Sequence, residues 1–349
     1  MTTKEQQATA PGIKQDSRRT DISKTSLFIN RAGAYFIVAI LLVIGLIIAQ
    51  GRFVSIDNIR SILNAVSLTG MACAGLAFVV YSANFNDMSL PMTMALSGMM
   101  AVQLIPFGIV VSVVGGIAAG TLVGVVNGIL IGKFRANPII WTLAFNMVLS
   151  GIVRVAWGGS QIYPDTVAGD SEFAQQAAVQ FNSFARTYFF DGALPLMVVV
   201  MIVLFVFAYF MMTRTRFGNK LKMVGSNYEA ARLSGVNCAK TVILAYVLCS
   251  LCAAIAGIFY TSMTKIGAYS NGEGYDFDCL TAVLLGGMTL AGGKGNIVGV
   301  FGGVLVVGML KNIMTLIGIS TFSQYLVTGV VFLIVVWINT SSERKLGRA

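Results

Sequence analysis

The chain has 349 residues, of which 56% are hydrophobic and 11% charged, and its formal net charge is +10. A soluble domain is about a quarter charged, so this composition excludes a soluble globular enzyme and points to one polytopic membrane domain. The basic excess then belongs to loops beside anionic lipid or a partner, because a nucleic-acid binder needs a soluble face to carry its charges.

Residues 1–31 are polar and carry Lys4, Lys14, Arg18, Arg19, Lys24 and Arg31 ahead of any apolar stretch. They read as a disordered cytoplasmic tail, not a signal peptide. Ten apolar segments follow as candidate spanning helices: 32–50, 59–81, 88–105, 108–131, 138–157, 193–213, 241–262, 279–291, 297–317 and 324–340. The eighth is short for a span and reads as tilted, broken or partly re-entrant. The fold expected is an all-α polytopic membrane protein, with a transmembrane domain over 32–340 and a second cytoplasmic tail at 341–349.

Charge sets the expected topology. With the N-terminus inside, segments 1–31, 82–87, 132–137, 214–240, 292–296 and 341–349 face the cytoplasm, and they hold eighteen of the 24 Lys and Arg. Arg52, Arg60, Arg154, Arg186, Lys265 and Lys311 fall on the other side or at its helix ends. That asymmetry fits positive-inside orientation with both termini cytoplasmic. The longest outer loop, 158–192, is acidic, with Asp165, Asp170, Glu172 and Asp191 against Arg186.

Glycine marks tight helix packing. Gly116, Gly120, Gly124, Gly128 and Gly132 recur every fourth residue along the fourth segment, and Gly295, Gly299 and Gly303 do so near the ninth. Such stripes let helices approach closely in lipid. A weak internal repeat accompanies them. Asp87 precedes Gly98 by the same eleven residues that separate Asp276 from Gly287, and FVSID at 53–57 opens one half much as LSGVN at 233–237 opens the other. Helices two to five would match seven to ten in opposite orientation, the inverted repeat common in transporters.

The basic segment 214–240 places Arg214, Arg216, Lys220, Lys222, Arg232 and Lys240 around one acid, Glu229. Ser226 to Glu229 has capping-box spacing, Ala230, Ala231 and Leu233 favour helix, and Gly235 can stop it in the left-handed conformation. A helix of two turns is marginal alone, so this one calls for something to dock against; a solvated loop that only sets topology is the plainer reading.

Catalytic chemistry is missing. The chain has no histidine, so no imidazole metal or acid–base site. LAGGKGN at 290–296 departs from the phosphate-loop pattern, with Met288 where a glycine is needed and Gly295 where Ser or Thr is needed. The five cysteines read as small apolar packing residues. Asp87, Asp276 and Asp278 fall at span edges, which disfavours a proton- or sodium-coupled carrier needing acids within the membrane. The chain reads as a non-catalytic transporter without its own energy source, and a docked ATP-hydrolysing partner would supply one.

LKMVGSNYEAARLSGVN, AGIFYTSM and GYDFDCLTAVLLGGMTLAGGKGNIVGVFGGVLVVGML resemble the permease subunits of bacterial ABC importers of the ribose, galactose and xylose type. The resemblance covers most of the chain from about residue 52, and NPIIWTL at 137–143 resembles the family's span after a short cytoplasmic turn. It implies a multi-pass inner-membrane protein, paired with a second permease copy (a homodimer by default, a heterodimer in some relatives). It also implies an ATP-binding subunit that uses ATP and Mg inside the cell and a periplasmic sugar-binding protein outside. No cofactor is expected on this chain. By resemblance, Gly225, Asn227, Glu229, Ala230, Ala231, Arg232 and Gly235, with Ser226 as cap, form the loop that couples to the ATPase. The pathway candidates are Phe85, Asn86, Asp87 and Asn146, whose side chains suit hydroxyl bonding and ring stacking. Two departures bear on the solute. The family commonly reads Gly-Gly-Ile-Asp-Leu-Ser where this chain has Ala83 to Ser89, and often Arg-Gly where it has Ser150-Gly151. A nucleoside, polyol or furanose signal is therefore the alternative cargo, and an ion-coupled secondary transporter the alternative class.

Overall fold

Apolar stretches of this length can satisfy their backbone only as helices in a bilayer. The computed structural model describes residues 17–48, 51–189 and 194–345, and among these it is a bundle of fourteen α-helices. In chain order they are α1 (Ser17–Ile48), α2 (Ile56–Tyr81), α3 (Leu90–Gln103), α4 (Ile109–Gly132), α5 (Pro138–Ala156), α6 (Pro164–Ala168), α7 (Glu172–Phe184), α8 (Leu196–Arg214), α9 (Arg216–Ser226), α10 (Tyr228–Leu233), α11 (Cys238–Thr264), α12 (Tyr275–Leu285), α13 (Ile297–Leu316) and α14 (Thr321–Lys345). Strand is confined, among the described residues, to one short antiparallel pair, Tyr188–Phe189 with Leu194–Pro195.

Seven of these helices, α2, α4, α5, α8, α11, α13 and α14, are long and apolar enough to cross a membrane, and the apolar Gly33–Ile48 part of α1 is shorter. The third and eighth expected spans need correction. α3 has 14 residues and α12 has 11, about 21 and 17 Å at 1.5 Å per residue, against a hydrocarbon core of roughly 30 Å. α12 also starts earlier and stops earlier than 279–291, because Gly287 turns left-handed (φ 81°) directly after Gly286 and the following residues run as turns. The tail needs correction as well. Residues 17–31, expected to be disordered, are the first turns of α1, since extending a formed helix adds a hydrogen bond for each residue fixed. Residues 1–16 lie outside the described part. The acidic segment after α5 holds α6 and α7, whose Ala174, Ala178 and Phe181 pack on Ile105 and Ile258.

α2 and α11 are the buried central pair, with Gly75 pressed against Cys249 and Cys252. The glycine stripe of α4 runs antiparallel along α11. A Cβ on Gly120 would lie 2.6 Å from Ala254, on Gly124 2.6 Å from the Tyr246 carbonyl, on Gly128 2.8 Å from Ile243 and on Gly132 2.8 Å from the Ala239 carbonyl. A Cβ on Gly116 would lie 2.7 Å from the Ser97 carbonyl. α13 lies along α2 in the same way, through Gly308 and Val66, while Gly299 and Gly303 press on Ala282 of α12 and on Gly286 at its end. Gly295 is not part of that stripe; it precedes α13, at φ 140°. The two halves thus pack with matching partners: α3 touches α11 and α4 where α12 touches α2 and α13, and α5 covers α3 where α14 covers α12.

The bundle has two distinct ends. At one, the Gly293 amide donates to the Tyr81 carbonyl (2.9 Å), Arg135 pairs with Glu229, and the Tyr35 hydroxyl donates to the Val298 carbonyl (2.8 Å). At the other, Phe53 packs on Met309 and Ile313, Phe173 covers Gly108, and Ile162 bridges Gly267. Segments 82–87, 132–137, 214–240 and 292–296 therefore gather at a single end.

Candidate functional site

Most of the basic segment is helical. Thr215 caps α9 by accepting from the Gly218 amide (3.2 Å), and α9 buries Leu221, Val224 and Gly225 while leaving Lys220, Lys222 and Met223 exposed. Phe217 at its start meets Phe78 of α2, with ring centroids 6.0 Å apart. The start of α10 differs from the capping-box expectation. Ser226 is the last residue of α9, and Asn227 is the cap, its side chain accepting from the Ala230 amide at 2.9 Å. An Asx side chain caps at least as well as serine, and the neighbour that wins fixes where the chain turns.

Glu229 therefore does not reach back to a cap. It pairs with Arg232 at 2.7 Å and with Arg135 at 3.5 Å, and the Arg135 guanidinium stacks 4.3 Å from the centroid of the Tyr228 ring. Tyr228 first, and Glu229 second, hold that guanidinium above its ordinary pKa, so it stays cationic. Ala231 is buried, Ala230, Arg232 and Leu233 are exposed, and Gly235 ends the turn at φ 79°. Asn237 then caps α11 through the Lys240 amide (3.0 Å). The result is a short capped protrusion on which Leu233 is 83% exposed, with Arg135 and Arg232 both paired to Glu229.

The base of this protrusion is wedged into both halves of the bundle. Gly225 lies where a Cβ would meet the Tyr81 carbonyl at 2.0 Å and the Gly293 amide at 2.7 Å. Gly293 in turn abuts Ser226, and Gly292 abuts Ala83. The end of α9 therefore touches the connection leading into α3 and the turn leaving α12. That connection is strained: Ala83 and Phe85 hold φ of 63° and 58°, a conformation that non-glycine residues keep only when their surroundings enforce it.

Beyond the strained turn the chain runs inward to Asp87. Its carboxylate accepts from the Ser89 amide (3.0 Å), the Ser89 hydroxyl (2.6 Å) and, at 3.4 Å, the Asn127 side chain. Asn127 also donates to Ser89 (2.7 Å) and accepts from the Trp141 indole (3.0 Å), while the Met88 amide donates to Thr142 (3.1 Å). Asn86 and Asp87 are fully enclosed, so in this conformation neither faces an open passage. Phe85 is half-buried, and Asn146 sits apart on α5 with a buried Oδ1 that lacks a partner. In the second half, Asp278 in the first turn of α12 pairs with Lys311 of α13. Asp87 and Asp278 are thus not edge residues. Both are buried in the bundle, because the short helices α3 and α12 begin inside it.

Residues 58–336 match the family described as the branched-chain amino acid transport system / permease component. The chain belongs to this permease family. The permease is 31% identical to the ribose import permease of Escherichia coli strain K12 over 310 residues, 88% of this chain and 93% of that one. It is 33% identical to the ribose import permease of Bacillus subtilis strain 168 over 306 residues, 87% of this chain and 91% of the relative. With the L-arabinose transport system permease of E. coli K12 it shares 31% identity over 297 residues, 84% and 85% of the two chains. No solved structure matches the permease. Seven spanning helices and this family make it a multi-pass inner-membrane protein.

The sequence left several of these residues unmarked. Arg135 joins the protrusion from a separate turn, and only the tertiary fold brings it there. Asn127, Trp141 and Thr142 carried a usable signal, since a polar residue inside an apolar span needs a partner. Lys311 carried the same signal, a lone cation within 297–317.

Proposed function

We propose that the permease is the membrane subunit of an ATP-driven importer, moving a monosaccharide or a chemically similar polar solute into the cytoplasm by alternating access. The observation that carries this is similarity over nearly the whole length to permeases named for ribose and L-arabinose transport. The chain performs no chemistry itself; an ATP-binding subunit would bind ATP and Mg and hydrolyse the nucleotide. The positive-inside charge distribution supports a cytoplasmic position for both termini and for the end that bears α9 and α10. The capped protrusion then suits docking of that subunit, because a rigid helix wedged against both halves transmits a push that a flexible loop absorbs. Gly225, Ser226, Asn227, Glu229, Ala230, Ala231, Arg232 and Gly235 are its coupling residues. The opposite end, with α6 and α7, would receive a periplasmic binding protein, and the exposed apolar faces of α5 and α14 suit lipid or a second permease copy.

The test is reconstitution of the permease with its co-purifying proteins into liposomes, with labelled D-ribose, D-xylose and L-arabinose offered outside. Uptake that requires enclosed ATP is expected. Uptake driven by an ion gradient without ATP would replace this reading with a secondary transporter.

A further inference from the structure

The two halves of the bundle each bury a carboxylate and balance it differently. Asp278 of α12 pairs with Lys311 of α13, while Asp87, just ahead of α3, meets Asn127 of α4. Lys311 and Asn127 each lie five residues before the last residue of their helix, Leu316 and Gly132. An ammonium thus faces one carboxylate and an uncharged amide the other. Among the described residues no ion pair includes Asp87, which is fully enclosed.

The bonds to Asp87 are lopsided. The Ser89 amide and hydroxyl both donate to Oδ1, at 3.0 and 2.6 Å. Oδ2 meets only Asn127 Nδ2 at 3.5 Å, and that nitrogen lies closer to the Ser89 hydroxyl, at 2.7 Å. A contact so long adds little. On α11, Tyr246 and Cys249 lie within the field of Asp87, and neither can supply positive charge. From α5, Thr142 bonds the Met88 amide and Trp141 bonds Asn127, and neither is charged. Lys294, in the turn that abuts Ala83, is exposed. Two buried oxygens also lack a partner: Asn86 Oδ1, one residue away, and the Tyr246 hydroxyl.

An enclosed carboxylate without a counter-charge is less stable than the neutral acid, whose proton needs one acceptor. We infer that Asp87 is a proton-binding site, neutral in this enclosed conformation. The proton sits on Oδ2; it passes to water as the turn at 83–87 opens and returns from water as the turn closes. That turn is suited to move, because Ala83 and Phe85 keep φ of 63° and 58° only while their surroundings enforce it. Each opening releases one proton, so rising pH favours the open form. The site goes beyond the importer reading and does not depend on it.

Infrared spectroscopy of the purified permease in lipid nanodiscs tests it, because the C=O stretch of a protonated carboxyl stands apart from those of carboxylates and peptide groups. At neutral pH the wild type should show a band that Asp87→Asn removes and that Asp87→Glu, which keeps the proton, moves. In proteoliposomes holding the whole transporter, with pH equal on both sides, uptake by the wild type should rise with pH more steeply than uptake by Asp87→Asn, whose side chain stays neutral. A spectrum that Asp87→Asn leaves unchanged, or equal steepness of the two uptake profiles, would overturn the inference. Failure of Asp87→Asn to fold at neutral pH would do the same, because asparagine is the nearest neutral counterpart of the acid. The spectra need no ATP, so the proton site and the importer reading can fail separately.

Discussion

Gly225→Ala is the sharpest probe of how the protrusion communicates with the membrane bundle. The added Cβ would lie 2.0 Å from the Tyr81 carbonyl oxygen, where ordinary contact begins at 3.4 Å. The two must part by about 1.4 Å, and the 2.9 Å bond from the Gly293 amide to the same carbonyl is lost or badly stretched. Overpacking of this kind costs about 1–3 kcal/mol, and a buried donor left without its acceptor about 1–3 kcal/mol more. Even about 2 kcal/mol against the seated wedge shifts its population by roughly thirtyfold. In proteoliposomes containing the whole transporter, ATP hydrolysis should persist while uptake per ATP falls at least about tenfold. Uptake by Gly225→Ala within twofold of wild type, at equal membrane abundance, would refute the wedge as the mechanical link.

Glu229→Lys sets a third cation between Arg135 and Arg232; exposed pairs of this kind are worth under about 1 kcal/mol each, so thermal stability in detergent should barely move while uptake and recovery of the ATP-binding subunit both collapse. Asn227→Ala removes the α10 cap, about 1 kcal/mol, and should lower uptake severalfold, whereas Asn227→Asp should retain it; equal activity of the two would argue against the cap. Asn127→Leu strips partners from Asp87, Ser89 and Trp141 together, and a loss of about 2–4 kcal/mol should appear as a lower melting temperature and reduced membrane abundance; an unchanged melting temperature would count against the network as a structural core.

The sequence allowed most spans to be read because hydropathy acts along the chain. The third expected span ran two residues past α3 at each end, and the eighth, already too short to cross plainly, was carried through 286–291, where glycine backbone geometry, not polarity, ends the helix. Gly235 marked the stop of α10 correctly, since few other residues accept a left-handed φ at no cost. The start was ambiguous: Ser226 and Asn227 are both capping types, and the packing of Gly225 and Ser226 against Tyr81 and Gly293 decides between them. Pairings such as Arg135 with Glu229, or Asp278 with Lys311, join segments 94 and 33 residues apart. No local pattern encodes them, although a lone Lys311 in an apolar span announces that a partner exists.

The central claim is that the permease works through an ATP-binding subunit seated on the α9–α10 protrusion. Its most direct test is a tagged pull-down from native membranes in mild detergent, with the recovered proteins identified by mass spectrometry, for wild type and Glu229→Lys side by side. The account predicts an ATP-binding subunit with the wild type and its loss with the variant, both permeases being equally abundant. Recovery of the wild-type chain alone in more than one detergent, or full retention of the subunit by Glu229→Lys, would contradict it.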